Sequence, residues 1–252
     1  MEVLDVNEVY QTVLAILNKE QRGYITPYEF NLLATQVQLE IFESYFSSLN
    51  LQLQKPGNDN EYADKVKLLR QKISRFETEK EITITITGGK GVGDLATLTP
   101  NLYKLGSVYY TKGDLLPVEA EQVDRQTFNL LRRAAFTSPT ADFPVYYKEE
   151  NKIKILPAIA SAAAANPPGT PAEIFTVDYI KKPADVVWGY TIGAVGQYLY
   201  NAGTSTQFEI SPSEQAEVIL KILAYSGVVV RDPEIIQTAG AGAASIDQQQ
   251  MQ

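Results

Sequence analysis

The spacing of hydrophobic positions changes along the chain and separates a helical region from an extended one. Over residues 1–17, apolar side chains recur three or four residues apart, which predicts a helix. The same period predicts a longer second helix from Thr26 to about Leu49. A third, more charged helix is predicted over residues 61–78. The pattern therefore predicts an N-terminal helical region, a helical hairpin plus a third helix, over residues 1–80.

A strand pattern of period two follows the helices. Residues 81–87 alternate strictly and are rich in β-branched side chains, whereas the glycines of 88–93 indicate a flexible connection. Further elements are predicted as strands over 102–111, 145–147, 152–156, 175–180 and 207–210, and as helices near 118–133 and 212–226, the last ending at Gly227. The expected fold class is α+β. Residues 81–239 should form a mainly β region, mostly antiparallel, with additional helices, and residues 240–252 a flexible C-terminal tail.

Composition narrows the classes of chemistry that the chain could perform. Its 252 residues include no cysteine and no histidine, and 30 acidic against 22 basic side chains give a net charge of −8. These counts exclude disulfides, Cys/His zinc sites, a cysteine nucleophile and a Ser-His-Asp triad. The acidic balance also argues against sequence-independent DNA binding. No secretory signal or membrane segment is recognisable, and we expect folding in the cytoplasm.

The turn after the first helix fits the spacing of a calcium-binding EF-hand loop. Asn18, Glu20 and Glu29 fall at ligand positions 1, 3 and 12 of that frame. Arg22, however, places a positive charge where an oxygen ligand is needed. The alternative is a helix–turn–helix corner in which Thr26 and Glu29 form a capping box. We interpret the frame as degenerate and non-binding, and we expect no metal and no cofactor.

The remaining motifs give no catalytic centre. The segment Gly88–Asp94 lacks the Gly-Lys-Ser/Thr of a phosphate-binding loop. Several carboxylates could perform acid–base chemistry, but none has a distinguishing context. They are Glu149 and Glu150, Asp114 with Glu119 and Glu121, and Asp232 beside Arg231. No catalytic residue is therefore assigned, and the chain is predicted not to be an enzyme.

Tyrosine pairs are the other recurring feature. Neighbouring residues of a strand face opposite sides, so one tyrosine of Tyr109-Tyr110 and one of Tyr146-Tyr147 should lie in the core. The second tyrosine of each pair should then lie at the surface or in a protein interface, where tyrosine is favoured.

Several stretches together resemble one family of virion proteins. They are, in chain order, Leu17–Asn31 with the helix that follows, Tyr146–Pro157, Val177–Pro183 with Trp188, and Phe208–Glu214 through Leu223 and Gly227 to Asp232-Pro233. The chain is similar in these stretches to ring proteins of the neck, the head-to-tail connector, of crAss-like bacteriophages, which are short-tailed viruses of gut Bacteroides.

The resemblance implies a virion structural protein assembled in the host cytoplasm and located in the neck or tail region. It implies a homo-oligomeric ring of twelve copies that contacts the portal protein and other neck or tail ring proteins. Packaged DNA would pass through the ring with only passive contact, and no membrane is involved. A ring of many copies needs a head-to-tail interface between identical subunits. The alternatives are a capsid-decorating or tail-hub subunit, or a calcium-binding EF-hand-like module.

Overall fold

The computed structural model describes residues 3–19, 24–54, 60–98, 102–113, 115–161 and 172–230. In chain order its helices and strands are α1 (Val6–Lys19), α2 (Pro27–Gln54), α3 (Asn60–Ile73), β1 (Glu77–Ile82), β2 (Ile84–Ile86), β3 (Gly91–Asp94), β4 (Leu102–Lys112), β5 (Val118–Gln122), α4 (Arg125–Arg133), β6 (Val145–Glu149), β7 (Lys152–Leu156), β8 (Glu173–Lys181), β9 (Tyr190–Ile192), β10 (Tyr198–Tyr200) and α5 (Gln215–Val230). Helices combine with a large, mostly antiparallel sheet, so the predicted α+β class is confirmed.

The chain folds as two compact units, and one of them is discontinuous in sequence. The first unit joins Met1–Phe76 to Pro183–Gln252, and the second is the intervening segment Glu77–Lys182. The predicted regions 1–80 and 81–239 follow one another along the chain, whereas the described residues 183–230 belong to the same unit as the N-terminal helices. The predicted tail over 240–252 lies outside the described residues.

An aromatic cluster forms part of the core of the first unit. The ring of Tyr10 on α1 lies 4.7 Å from that of Phe30 on α2 and 4.4 Å from that of Trp188, measured between centroids. Helices α1 and α2 both contact α5, which carries buried apolar side chains such as Val218 and Ile222. Phe208, predicted within a strand over 207–210, instead forms an isolated bridge with Leu4.

A polar stripe on α2 holds an extended segment that the sequence pattern left unassigned. Asn31, Thr35 and Gln38 lie on one face of the helix because they are four and three residues apart. Gln38 donates to the carbonyl oxygen of Ala184 (2.7 Å), and Asn31 accepts from the backbone N–H of Trp188 (2.7 Å). Thr35 binds the backbone between these two residues. The helix side chains therefore take the place that a neighbouring strand would have in a sheet.

The second unit is a single eight-stranded sheet that rolls round until its ends meet. The strand order is β1-β8-β4-β5-β6-β7-β3-β2, and only the β5–β6 pair is parallel. Strands β1 and β2 stand at opposite ends of this order, yet only Thr83 separates them in sequence. Ser161 fixes the junction, since its hydroxyl accepts from the N–H of Ile84 (2.8 Å) and donates to the carbonyl of Ile82 (3.3 Å). We refer to this arrangement as the rolled sheet.

Isoleucine side chains fill the interior of the rolled sheet where glycines make room. Ile84, Ile153 and Ile155 are buried in its core. A Cβ atom on Gly93 would lie 2.5 Å from Ile84 Cδ1 and 3.0 Å from Ile153 Cγ1. The prediction of a flexible connection over 88–93 is therefore wrong from Gly91 onward, because these glycines belong to β3 and admit the neighbouring side chains.

Both faces of β6 are buried, which corrects the prediction for one tyrosine pair. Tyr146 faces the interior of the rolled sheet, and Tyr147 packs against Phe128 of α4 with ring centroids 4.6 Å apart. One tyrosine of this pair was expected at the surface or in a protein interface, but α4 covers the outer side of the strand. Tyr110 is buried while Tyr109 is partly exposed, which agrees with the prediction for that pair.

Several predicted element boundaries differ from the structure, and α2 ends at Gln54 instead of about Leu49. The helix near 118–133 begins only at Arg125, because 118–122 form β5 and Asp124 accepts from the N–H of Thr127 (2.6 Å) as the helix N-cap. The third helix ends at Ile73, and its predicted last residues turn into β1. Gly227 does not stop α5, which continues to Val230.

Candidate functional site

The EF-hand-like corner is built around a helix cap. Glu29 accepts hydrogen bonds from the N–H and the hydroxyl of Thr26 (2.9 and 2.7 Å), and Thr26 accepts from the N–H of Glu29 (3.3 Å). These bonds lower the pKa of Glu29 below its ordinary value. Asn18 is exposed near the end of α1, and Glu20 and Arg22 lie outside the described residues. Within the described ranges, no three Asp, Glu, His or Cys side chains are grouped to hold a metal ion.

The carboxylates considered for acid–base chemistry are not brought together. Glu149 forms ion pairs with Lys154 and with Arg125 (3.5 Å), while Glu150 occupies the β6–β7 turn with φ of 51°. Glu119 instead accepts from the hydroxyl of Ser107. Asp114 and the pair at 231–232 lie outside the described residues.

A buried carboxylate in the first unit joins three of its elements. Glu214, which precedes α5, accepts a short hydrogen bond from the hydroxyl of Tyr45 and pairs with Lys72 Nζ at 2.8 Å. It also accepts from the backbone N–H of Ser211 (3.2 Å), closing a capping box. The spacing of Ser211 and Glu214 in the sequence is that of a capping box, whereas the ion pair has no local signal, because Lys72 is 142 residues away in the chain.

A second ionic group links α2 to α5. Lys221 lies 3.3 Å from carboxylate oxygens of both Glu40 and Glu217, and Tyr225 donates to Glu40 (2.8 Å). Burial lowers the pKa of Lys221, but the attraction of the two carboxylates outweighs it and leaves the pKa raised. Both groups tie helices together.

The buried phenol of Tyr45 predicts sensitivity to alkali. Burial and then the neighbouring Glu214 carboxylate raise the pKa of Tyr45 above its ordinary value of 10. Folding therefore retains a proton that the unfolded chain releases, so the stabilising effect is complete below pH 10 and declines above it, by up to about 1.4 kcal/mol per pH unit. Urea unfolding at pH 9, 10 and 11 measures the decline. Tyr45→Phe should make the decline less steep without abolishing it, because burial also raises the pKa of Tyr10 and Tyr146. An unchanged slope in that variant would contradict the assignment.

An apolar β-hairpin of the first unit is exposed to solvent. Strands β9 and β10 pair with each other alone and form what we call the tyrosine hairpin, residues 190–200. Ile192 and Val195 are 70% and 87% exposed, and Leu199 is 48% exposed. The base of the hairpin rests on Trp188, which lies under Tyr190 (6.0 Å) and Tyr200 (5.8 Å).

A basic and apolar surface lies on the outside of the rolled sheet. It consists of α4 and the five residues after it, residues 125–138, and we call it the ridge. Phe128 anchors it beneath, whereas Leu130 is 65% and Phe136 is 100% exposed. The ridge contains three arginines and no acidic residue, and the arginines are Arg125, Arg132 and Arg133. Arg132 donates to the carbonyl of Gly88, which orients its guanidinium along the surface.

An acidic surface occupies another part of the same unit. It is formed by Glu77, Glu79 and Glu81 of β1 and Asp178 of β8, and we call it the wall. Asp178 lies between the interior residues Val177 and Tyr179, and Glu79 lies directly opposite Asp178 in the pairing. Lys80, between Glu79 and Glu81, is exposed and donates to the carbonyl of Thr97 (2.8 Å). None of the ion pairs between described residues includes a member of the wall. Lys104, opposite Ile180 on β4, is a basic neighbour.

Comparisons with known proteins add no family. Neither the protein-family models nor the curated protein sequences gave a match. In the described part of the chain, none of the helices has both the length and the apolar character needed to cross a membrane.

Proposed function

We propose that this chain is the repeating subunit of a ring-shaped adaptor in the neck of a short-tailed, crAss-like phage, between the portal and the tail. Identical copies would surround the channel through which DNA passes. The proposal rests on the resemblance of the four stretches described above and on one structural observation, the tyrosine hairpin.

The tyrosine hairpin supports an assembly role because of its apolar exposure. A two-stranded hairpin is at best marginally stable alone in water. Here it also presents Ile192, Val195 and Leu199 to solvent, as a surface for another protein would. Packing against the buried Trp188 fixes the orientation of the hairpin. The hairpin can therefore bind a partner with little loss of chain entropy.

The mass of the purified chain tests the proposal. We expect sedimentation to reveal a closed species of about 330 kDa, for about twelve copies of a 27.9 kDa chain, and negative-stain images to show rings. Ile192→Asn should weaken assembly, and the exposed neighbour Thr191→Asn is the matched control. A chain that stays at about 28 kDa both alone and after mixing with the portal protein would contradict the proposal.

Copy number in the virion separates the neck from other positions. By the resemblance to crAss-like neck proteins, a neck ring requires about a dozen copies per particle, whereas a decorating subunit requires hundreds. Quantitative mass spectrometry of purified virions against the portal protein gives the ratio. A ratio near one supports the neck, and a large excess would favour decoration of the capsid.

A further inference from the structure

We propose that the ridge of one copy docks on the wall of the next, so that the rolled sheet supplies the contact between identical subunits. The inference deepens the proposed function and rests on it for the ring. It follows from the chemistry of the ridge, the charge of the wall and the places that the two occupy on the rolled sheet.

The ridge has the composition of a protein interface. Arginine and aromatic residues dominate the energetically important centres of interfaces. Phe136 is fully exposed, Leu130 largely so, and arginines flank both. A surface that only follows phosphates does not need the two apolar side chains, and the net charge of −8 disfavours a polyanion as the partner.

The wall is acidic and so complements the charge of the ridge, and its own carboxylates repel one another. Like charges directly opposite on neighbouring strands destabilise a sheet, and Glu79 faces Asp178 in this way. Counting Lys104, the group holds four acidic side chains and one basic one. Arg132 and Arg133 of the ridge would offset much of this charge, whereas Arg125 already pairs with Glu149. A second copy of the chain therefore supplies both signs of charge.

The rolled sheet places the two surfaces on opposite sides. Helix α4 covers the outer side of β6 and β7, where Phe128 packs with Val145, Tyr147 and Leu156. Strand β8, which carries Asp178, is three steps from β6 through β5 and β4. The β1–β2 segment, which carries the three glutamates, is two steps from β7 through β3. Complementary surfaces on opposite sides of one subunit generate a head-to-tail contact, which can close into a ring. Surfaces on the same side would favour a closed pair.

Cross-linking between singly substituted chains tests the contact, since the natural chain has no cysteine. Asn129→Cys marks the ridge, Thr83→Cys marks the end of the wall, and Ser47→Cys on α2 is an exposed control. A mixture of the first two full-length chains is treated with a short bis-maleimide. We expect the mixed ridge–wall product to exceed the ridge–control product about tenfold. Equal yields of the two products would overturn the inference, whatever the mass of the natural chain.

Charge reversal provides a second measurement on the same contact. Arg132→Glu with Arg133→Glu should weaken self-association about tenfold or more, and adding Glu79→Lys with Glu81→Lys should restore it. Lys67→Glu with Arg70→Glu on α3 makes the same charge change and should have little effect. If loss of the contact between Arg132 and Gly88 harms folding, the single variant Arg133→Glu replaces the double variant in this measurement. Loss of duplex DNA binding with unchanged self-association would instead assign the ridge to nucleic acid and overturn the inference.

The outcomes separate this contact from the ring itself. Rings that form without a ridge–wall product would contradict the contact and leave the proposed function standing. A ridge–wall product found only in open chains or pairs would support the contact and contradict the ring.

Discussion

Trp188→Ala is expected to destabilise the first unit by about 4 kcal/mol, as large-to-small changes of buried aromatic residues do. Trp188 is 2% exposed and packs against Tyr10, Tyr190 and Tyr200. Its indole N–H also donates to Asn7 Oδ1 (3.0 Å). The substitution therefore leaves a cavity at the base of the tyrosine hairpin, and the hairpin loses its support. Assembly should fail at temperatures where the remaining fold persists.

Urea unfolding followed by circular dichroism measures the loss, because the variant has no tryptophan left to report by fluorescence. Trp188→Phe keeps part of the packing and should cost about half as much. Leu199→Ala, at an exposed position of the same hairpin, should change stability by no more than about 0.5 kcal/mol. If Trp188→Ala unfolded at the same urea concentration as the natural chain, the hairpin would not depend on this residue.

Glu214→Ala is expected to cost about 3 kcal/mol, the lower end of the range for breaking a buried ion pair. The change removes the partner of Lys72, the acceptor of the Tyr45 hydroxyl and the cap on the N–H of Ser211. Lys72 keeps some access to water, which limits the penalty, since its side chain is 21% exposed. Helix α3 should lose its attachment first, because the pair with Lys72 joins it to the chain before α5.

A double-mutant cycle isolates the ion pair from the cap. The double variant Lys72→Met with Glu214→Ala should lose less stability than the sum of the losses of the two single variants, because no unpaired charge remains in it. Trp188 fluorescence follows the unfolding of the same unit in all these variants. Strict additivity would show that Glu214 acts through the cap and the tyrosine alone.

Local signals in the sequence predicted the elements that depend on local chemistry. The capping boxes at Thr26 and Ser211 were recognisable because capping requires particular residues three positions apart. The alternation over 81–87 predicted extended chain, which the structure divides at Thr83 between β1 and β2. Pairing partners were not predictable, since β1 pairs with β8 almost a hundred residues later and nothing local encodes that choice.

The candidate surfaces were less predictable than the fold. The polar side chains of Asn31 and Gln38 suggest a solvated face of α2, yet they bind backbone that arrives from residues 184–188. The absence of acidic residues from 125–138 can be read in the sequence. Tertiary structure decides that Phe136 is exposed and that the wall lies on the other side of the rolled sheet. The hydrophobic period of the sequence does not specify it.

The discontinuous first unit has a consequence for synthesis on the ribosome. Its N-terminal helices emerge before the 106 residues of Glu77–Lys182, and Trp188 follows only after them. At typical elongation rates this delay is about 5–20 s, during which Tyr10 and Phe30 have no Trp188 to cover them. Because Glu77 pairs with Ile180, the inserted segment leaves and returns at neighbouring points of one strand pair. The second unit can thus fold before the first unit is complete. The N-terminal helices can complete their packing only after the residues that follow Lys182 have been synthesised.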